Sequence, residues 1–300
     1  MFKLIFGLGN SDIKNVEALA KLYAKAGAWM FDVSPFMLPV LHNALISSNF
    51  NPDDFKYCVS VPVEGDVHGK KAKILTQKCK KCLKCQKACP QSAIYNLIVD
   101  EKKCIGCGIC KKKCSHSAIK LYDKTDYFKE LKKLIKNNEK IDCIELHSSV
   151  ANRKEVLKLL SKIAKRYKGA ISLCISRKNY STDEAFKLMN QAKEILKDNS
   201  DFFVQADGKS MNGGSCDFSS SLESVAFALA LKDLGIDEKK IILSGGINAH
   251  TKDLCAKFSL SPLALAFGTY ARKSVQDKNQ DEAFKIASEL VKNACEACGE

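Results

Sequence analysis

Cysteines at a repeated spacing are the residues of this chain best suited to chemistry. Of its fifteen cysteines, eight form two runs that follow the same C-x2-C-x2-C-x3-C pattern. Thiolates at this spacing bind [4Fe–4S] clusters, and the fourth cysteine of each run ligates the cluster of the other run. The pattern therefore predicts two [4Fe–4S] clusters. One is bound by Cys79, Cys82, Cys85 and Cys114, and the other by Cys104, Cys107, Cys110 and Cys89.

Zinc binding and disulfide formation are the alternative explanations of the same two runs. Zinc needs four thiolates per site but no particular third gap, so it does not require the doubled pattern. Disulfides need an oxidising compartment, and residues 1–9 are too short and too poor in basic residues for a secretory signal. No uncharged run approaches the ~18 residues of a transmembrane helix. These features predict a cytoplasmic protein with no membrane span, whose cysteines bind metal.

Positive charge is concentrated around these cysteines. The net charge of the chain is +14, and residues 70–120 alone contain fourteen lysines against Asp100 and Glu101. A basic surface around redox centres predicts an acidic partner, either an electron carrier (ferredoxin or flavodoxin) or a nucleic acid. Nucleic acid is less favoured, because the segment offers only Tyr95 for stacking on bases. A lysine-rich composition without a partner is the remaining alternative.

The rest of the chain alternates between apolar, β-branched runs and amphipathic stretches of helical period. Several of the stretches begin with a plausible helix cap, namely Ser11, Asn152, Ser181 and Ser221. Eight such units in about 250 residues predict a (β/α)8 TIM-like barrel. A doubly wound sheet is the alternative. The predicted strands are residues 2–8, 28–33, 56–63, 141–146, 170–175, 201–206, 240–243 and 263–267.

The cysteine runs interrupt this alternation after the third strand. The interruption predicts two domains: a discontinuous barrel of residues 1–69 and 121–300, and a bacterial-type 2[4Fe–4S] ferredoxin insert of residues 70–120. Loops that follow barrel strands lie on the C-terminal face, where the active sites of barrel enzymes are found. The insert is therefore expected over or beside the barrel mouth.

Glycines follow the last two predicted strands, in the loops where many barrels bind phosphate. They predict a phosphate-bearing small molecule, with FMN as the leading candidate, although tight turns alone also explain glycine there. The predicted binding residues are Gly245, Gly246, Asn248, Gly268 and Thr269.

Polar residues at the ends of the other strands could perform acid–base chemistry in the same mouth. The predicted catalytic residues are Gln205, Asp207 and Lys209, and period-two alternation places Gln205 and Asp207 on one side of their strand. Six further candidates are Asn10, Asp32, Glu145, His147, Ser176 and Arg177. Ordinary salt bridges outside the barrel are the alternative for each.

The cysteines outside the two runs give weaker signals. Cys58, Cys143 and Cys174 lie within predicted strands and are expected in the core. Cys216 lies in a glycine-rich loop that could act as a lid, and it could be a nucleophile or a free thiol.

Several motifs together resemble the light-dependent period protein family of cyanobacteria, over nearly the whole chain. Apart from the doubled cysteine pattern, which is generic to ferredoxins, they are FKLI at 2–5, QADGKSM at 205–211, GGINAHT at 245–251 and GTYARK at 268–273. The resemblance implies a redox-responsive iron–sulfur protein. The last two strands also resemble dihydroorotate dehydrogenase-type flavin barrels, but no full flavin-enzyme catalytic set is visible.

Two functions follow from the sequence. In the first, an oxidoreductase passes electrons through the clusters to a flavin or another phosphate-bearing ligand in the barrel mouth. In the second, a non-catalytic redox sensor or scaffold changes its partner binding with the state of the clusters.

Overall fold

The main body of the protein is a closed barrel of eight parallel strands. The computed structural model describes residues 1–66, 69–123, 126–148, 152–197, 201–208 and 218–300. The barrel order is β1-β12-β11-β10-β9-β8-β3-β2, and β1 closes the ring by pairing with both β12 and β2. This closure confirms the predicted barrel and excludes a doubly wound sheet. The strands are β1 (Phe2–Ile5), β2 (Met30–Val33), β3 (Lys56–Pro62), β4 (Lys70–Ile74), β5 (Ile94–Tyr95), β6 (Ile98–Val99), β7 (Ile119–Asp123), β8 (Cys143–His147), β9 (Ala170–Ser176), β10 (Phe202–Asp207), β11 (Ile241–Ser244) and β12 (Ala264–Phe267).

Helices pack around the outside of the barrel, and the described part of the chain contains none that is both long and apolar enough to cross a membrane. Asn152 and Ser181 cap the helices that begin at Arg153 and Thr182, as predicted. The other two predicted caps are wrong: the side chain of Asp12 caps the helix that begins at Ile13, and Ser221 lies inside the helix Phe218–Asp233. The helices are α1 (Ile13–Lys25), α2 (Leu38–Ile46), α3 (Lys84–Lys87), α4 (Ile109–Lys113), α5 (Tyr127–Lys136), α6 (Arg153–Ala164), α7 (Thr182–Leu196), α8 (Phe218–Asp233), α9 (Thr251–Lys257), α10 (Thr269–Ser274) and α11 (Gln280–Cys298).

Alternate residues of the barrel strands enter two different environments. One set, which includes Phe2, Leu4 and Phe31, forms the large apolar core between strands and helices. The other set points into the barrel, where Met30, Cys58 and Cys143 form a small apolar layer. The cysteines predicted to lie in the core are all buried. The next positions along the strands inside the barrel are polar, which is unusual for a layer that branched apolar residues normally fill.

The ferredoxin-like insert leaves the barrel after β3 and returns just before α5. Its first and last strands, β4 and β7, run antiparallel, with Lys70 opposite Asp123 and Ile74 opposite Ile119. This pairing brings the entry and exit points side by side. Inside the insert, the β5–β6 hairpin and the short helices α3 and α4 surround a small core that includes Ile94, Cys104 and Ile119.

Lys71 ties the insert to the barrel. Its side chain is only 3 % exposed, and its Nζ donates to the carbonyl of Gly9 at 2.5 Å and to the carbonyl of Cys104 at 2.6 Å. Gly9 belongs to the loop after β1, and Cys104 opens the second cysteine run. One buried ammonium therefore joins the barrel mouth to the cluster-binding segment.

Replacing Lys71 with Met should loosen this connection, because it leaves two carbonyls without their charged donor. The expected loss is about 1.5–3 kcal/mol of unfolding free energy. Amide hydrogen exchange measured by mass spectrometry should show faster exchange in residues 84–114. Lys73→Met, on the same strand but exposed, is the control. Equal exchange in the two variants would contradict this role for Lys71.

Candidate functional site

A cavity of about 1220 Å³ opens at the C-terminal ends of the barrel strands. Loops after β1, β11 and β12 form part of its wall. The insert supplies another part, from residues 90–92, Lys102, Lys103 and Ile105. The insert therefore lies over the mouth, as its position in the sequence predicted. We refer to this space as the mouth cavity.

The floor of the mouth cavity is a buried polar network centred on Lys3. The Nζ atom of Lys3, which is fully buried, lies 2.7 Å from Asp32 Oδ2 and 2.9 Å from Glu145 Oε2. It also donates to Gln205 Oε1 at 2.8 Å and lies 3.5 Å from Cys58 Sγ. Four strands thus direct polar atoms towards the ammonium group that a fifth strand, β1, supplies.

The charges of this network stabilise one another. Burial by itself lowers the pKa of Lys3, but Asp32, Cys58 and Glu145 raise it well above its usual value, so Lys3 remains charged. Burial raises the pKa of Asp32 to about 7, although Lys3 opposes this shift. For Glu145, burial is outweighed by the charges of Lys3 and His147, which hold its pKa below its usual value.

A second set of polar contacts lies beside the first. His147 Nδ1 is 2.5 Å from Asp66 Oδ2. Burial lowers the pKa of His147, but the carboxylate of Asp66 outweighs it and raises that pKa to about 10. Gln205, which already accepts from Lys3, also hydrogen-bonds the thiol of Cys174. The hydroxyl of Ser244 donates to Asp207 Oδ1 at 3.3 Å.

Arg272, which is half-buried, places a positive charge in the wall of the mouth cavity near the loop after β12. Its guanidinium donates to the carbonyl of Ile5 and, at 3.3 Å, to Thr269 Oγ1. Burial lowers the pKa of Arg272 to about 10, so the group is still cationic at neutral pH. No ion pair joins it to a carboxylate within the described ranges. Gly268 and Thr269, both predicted to bind phosphate, line the cavity beside it.

The glycine pair after β11 is required by close packing. Gly245 and Gly246 have φ angles of +64° and +104°, a region that favours glycine. A Cβ on Gly245 would lie 2.1 Å from Asp207 Oδ1, and one on Gly246 would lie 2.6 Å from the carbonyl oxygen of Ser220. Both glycines nevertheless line the mouth cavity.

Not every predicted site residue reaches the mouth cavity. The side chain of Asn248 bonds to the Gly246 carbonyl and to the His250 amide, within its own loop. Ser176 is buried in β9 and Arg177 is exposed. Asn10, Asp32, Glu145, His147, Gln205 and Asp207 all line the cavity. Lys209 and Cys216 lie outside the described residues.

The eight motif cysteines divide into an outer set, which comprises Cys79, Cys82, Cys85 and Cys114, and an inner set. Cys79 and Cys82 are partly or fully exposed, and none of the cysteines forms a disulfide in the described part of the chain. The inner set, Cys89, Cys104, Cys107 and Cys110, lines a small cavity of its own. Backbone amides approach four of the sulfurs at 3.3–3.4 Å, those of Cys79, Cys89, Cys104 and Cys114. Such donors stabilise thiolate ligands.

The sequence interpretation did not select Lys3, Asp66 or Arg272. Lys3 is a single charge within an apolar strand, and Arg272 lies four residues after a glycine that was chosen. In both cases, the feature of the sequence that could have indicated a site residue was a charged side chain inside or shortly after an apolar segment. Asp66 lies between β3 and the insert, where no periodic pattern marks it.

Comparisons with known proteins agree with this architecture. Residues 134–297 match the family described as light dependent period A C-terminal domain, and residues 97–120 match a 4Fe–4S binding domain. No curated protein matches the chain. The 4Fe–4S match favours iron–sulfur binding over zinc.

Solved structures with a similar fold are barrels of very different sequence. Phospho-2-dehydro-3-deoxyheptonate aldolase from Thermotoga maritima has a TM-score of 0.51 and 10% identity, over 98% of this chain and 67% of that one. A truncated 3-deoxy-D-arabino-heptulosonate 7-phosphate synthase from the same organism has a TM-score of 0.48 and 11% identity, over 97% of this chain and 86% of that one. A spore coat polysaccharide biosynthesis protein from Bacillus subtilis has a TM-score of 0.49 and 11% identity, over 97% of this chain and 67% of that one. At these identities the likeness concerns the fold alone.

Replacing Lys3 with Met should strongly destabilise the barrel, because Glu145 and Asp32 would lose their buried counter-charge. Breaking a buried pair in this way costs about 3–5 kcal/mol. Urea unfolding measures the change. Lys133→Met, which removes an exposed pair with Glu130, should change stability by no more than about 0.5 kcal/mol. A similarly small effect at position 3 would show that the network contributes little to stability.

Proposed function

Since the chain belongs to the family of the light dependent period A C-terminal domain and also contains a 4Fe–4S binding domain, we propose that it passes electrons through two [4Fe–4S] clusters to a ligand in the mouth cavity. The membership and the binding domain make it an iron–sulfur redox protein. The two clusters, the direction of transfer and the ligand are the proposed parts.

The observation that carries the proposal is the position of the two cysteine sets. Cys82 is exposed. The chain just after Cys89, at residues 90–92, and on both sides of Cys104, at Lys102, Lys103 and Ile105, forms part of the wall of the mouth cavity. A cluster on the outer set is accessible to a partner protein, and a cluster on the inner set adjoins the cavity. The two sets thus form a path from the surface to the mouth.

The residues of the insert fit this role. When bound, [4Fe–4S] clusters supply one-electron transfer at potentials set by their hydrogen bonds and their burial. The amides of Ala72 and Ala93 donate to Cys104 and Cys89 of the inner set. Cys104 and Cys110 are buried. The outer cluster is therefore the more accessible to solvent and the inner cluster the more protected.

The mouth cavity has the size and charge to bind a phosphate-bearing ligand. Its volume of about 1220 Å³ exceeds the roughly 300–1,000 Å³ of ordinary ligand pockets. Arg272, Lys102 and Lys103 give its wall positive charge, and a guanidinium is well suited to phosphate. Gly245, Gly246 and Gly268 also line the mouth, and a Cβ on Gly268 would lie 3.7 Å from the guanidinium of Arg272.

FMN is the leading candidate for this ligand. A bound flavin supplies the exchange between one-electron and two-electron chemistry. The chain's own residues would orient it: Arg272 and Thr269 at the phosphate, and Gln205 and Asp207 near the reacting part. Lys209, a predicted catalytic residue, remains part of the proposal.

The surface of the insert fits an acidic electron carrier such as a ferredoxin or a flavodoxin. Leu83, Tyr95 and Ile98 are exposed apolar side chains, with 39%, 71% and 73% exposure. Lys81 and Lys84 flank Leu83 beside the exposed Cys82. An apolar centre within a basic surface suits a partner of the opposite charge.

Cluster number is tested by iron analysis after anaerobic reconstitution. The wild-type protein should contain about eight irons per chain, and Cys107→Ala or Cys82→Ala should each contain about four, because each removes a ligand of a different cluster. Cys255→Ser, at a buried cysteine outside the motifs, should retain the wild-type content. Stoichiometric zinc without a brown colour would contradict the cluster assignment.

Ligand binding is tested by anaerobic calorimetry of the cluster-loaded protein with FMN and with sugar phosphates. Arg272→Gln should weaken binding about 10- to 100-fold, because it removes a charge-assisted contact. Arg166→Gln removes an exposed arginine that does not line the cavity, and it should not change the affinity. If no phosphate-bearing ligand binds to the wild type, the sensor or scaffold function replaces electron transfer to the mouth.

The partner is tested by the rate at which a reduced acidic ferredoxin or flavodoxin reduces the clusters. That rate should fall as salt rises, because exposed charges are screened over about 8–10 Å at physiological ionic strength. Reversing Lys81 and Lys84 to Glu should slow it at low salt. Lys285→Glu, an exposed lysine on α11, is the control. A rate independent of salt would contradict the proposal, and tight salt-sensitive RNA binding would favour nucleic acid.

A further inference from the structure

Three side chains with metal-ligand chemistry converge on the floor of the mouth cavity. The carboxylate of Glu145, the imidazole of His147 and the thiol of Cys174 each offer one ligand atom, and these atoms lie within 4.8 Å of one another. Glu145 and Cys174 are buried, and all three residues line the cavity. From this geometry we propose that Glu145, His147 and Cys174 bind one zinc ion.

Each of the three groups is oriented by a further side chain. Asp66 contacts Nδ1 of His147, which leaves Nε2 for a metal. Lys3 contacts Oε2 of Glu145, which leaves Oε1. Gln205 hydrogen-bonds Cys174. A carboxylate behind a histidine and hydrogen bonds behind the other ligands are the supports that protein metal sites use.

The charge around the three groups also favours a cation. The carboxylates of Asp66, Glu145 and Asp207 all act on both His147 and Cys174. Against them stand the ammonium of Lys3 and the protonated imidazole of His147. Zinc binding displaces one proton from the Cys174 thiol and one from His147, so the site gains a divalent cation and loses two protons. The sum of charges is therefore the same with zinc as without it, and the three carboxylates remain around the metal.

Zinc is the metal that this ligand set suits best. One nitrogen, one sulfur and one carboxylate oxygen form a mixed set that zinc accepts, and three protein ligands leave its fourth position open. Since the three residues face the mouth cavity, that position is open to water or to an oxygen of a bound molecule. Zinc there would polarise a carbonyl or phosphoryl oxygen. The site does not depend on the proposed electron transfer, and the cluster tests and the zinc test can fail separately.

The experiment is anaerobic zinc titration of cluster-loaded protein, with the cluster absorbance recorded throughout. Wild type and Cys255→Ser should bind about one zinc per chain, and Cys174→Ser and His147→Gln should bind none. Asp66→Asn retains all three ligands and should lose about 10- to 100-fold in affinity. Unchanged thermal unfolding and cluster absorbance show that each variant is folded.

Zinc K-edge absorption identifies the ligands. One sulfur at about 2.3 Å with nitrogen and oxygen at about 2.0–2.2 Å is expected. A first shell rich in sulfur would place the zinc on the motif cysteines and overturn the proposal. The absence of binding in the wild type, or equal binding in Cys174→Ser, would also overturn it.

Discussion

The buried ammonium of Lys3 is the interaction on which the centre of the barrel depends. Branched apolar residues usually fill this layer of a barrel, whereas here β1 supplies one Nζ atom and β2, β8 and β10 direct charged or polar groups to it within 2.9 Å. A buried charge without partners is far costlier than a missing apolar contact. The network therefore constrains strand register, because a slip of one residue would send Lys3 towards the helices and leave Glu145 unpaired.

The network also divides the mouth cavity into two electrical regions. Its floor holds Asp32 and Glu145, which pair with Lys3, and also Asp207, whereas its wall carries Arg272 and the lysines of the insert. An anionic group is attracted to the wall and repelled by the carboxylates of the floor. A ligand with a phosphate at one end and a reactive group at the other would therefore enter with its phosphate outermost. The same separation keeps the floor available for a cation.

The sequence was sufficient to predict most of the fold. Strands of a parallel barrel are apolar runs separated by helices, and the glycine-rich ends and the cysteine spacing are local patterns, so each could be recognised without the structure. The direction of a side chain within a strand is harder to predict. In residues 2–8 both faces are buried, so alternation does not reveal that Lys3 points inward and Phe2 outward. The prediction of helix caps fails for a related reason. Ser11 and Asp12 are equally good caps in sequence, and only the backbone conformation makes Asp12 the cap.

The site was predicted less completely, because its contacts join distant parts of the chain. Gly245 and Gly246 were selected for phosphate binding, but the structure gives them a second role in packing against Asp207 and Ser220. Asn248 has a side chain that could bind a ligand, but this side chain forms its hydrogen bonds with the backbone of its own loop. Asp66 acquires its role only when the barrel brings it to His147, a residue 81 positions later. Such pairings form only when the barrel closes, and a local sequence pattern does not show which distant residues closure brings together.

In the proposed function, the position of the insert links the redox state of the inner cluster to the mouth. Cys89 and Cys104 come from different runs yet belong to the same set, so their two flanking segments reach the cavity wall together. Lys102 and Lys103 directly precede Cys104 of the inner set and also line the mouth cavity. Reduction adds one negative charge beside these lysines and weakens their attraction for an anion. Because coupling between two sites is reciprocal, an anion bound in the mouth must make the inner cluster harder to reduce. In the proposed function, then, the ligand and the electron affect each other through the charge of these two lysines.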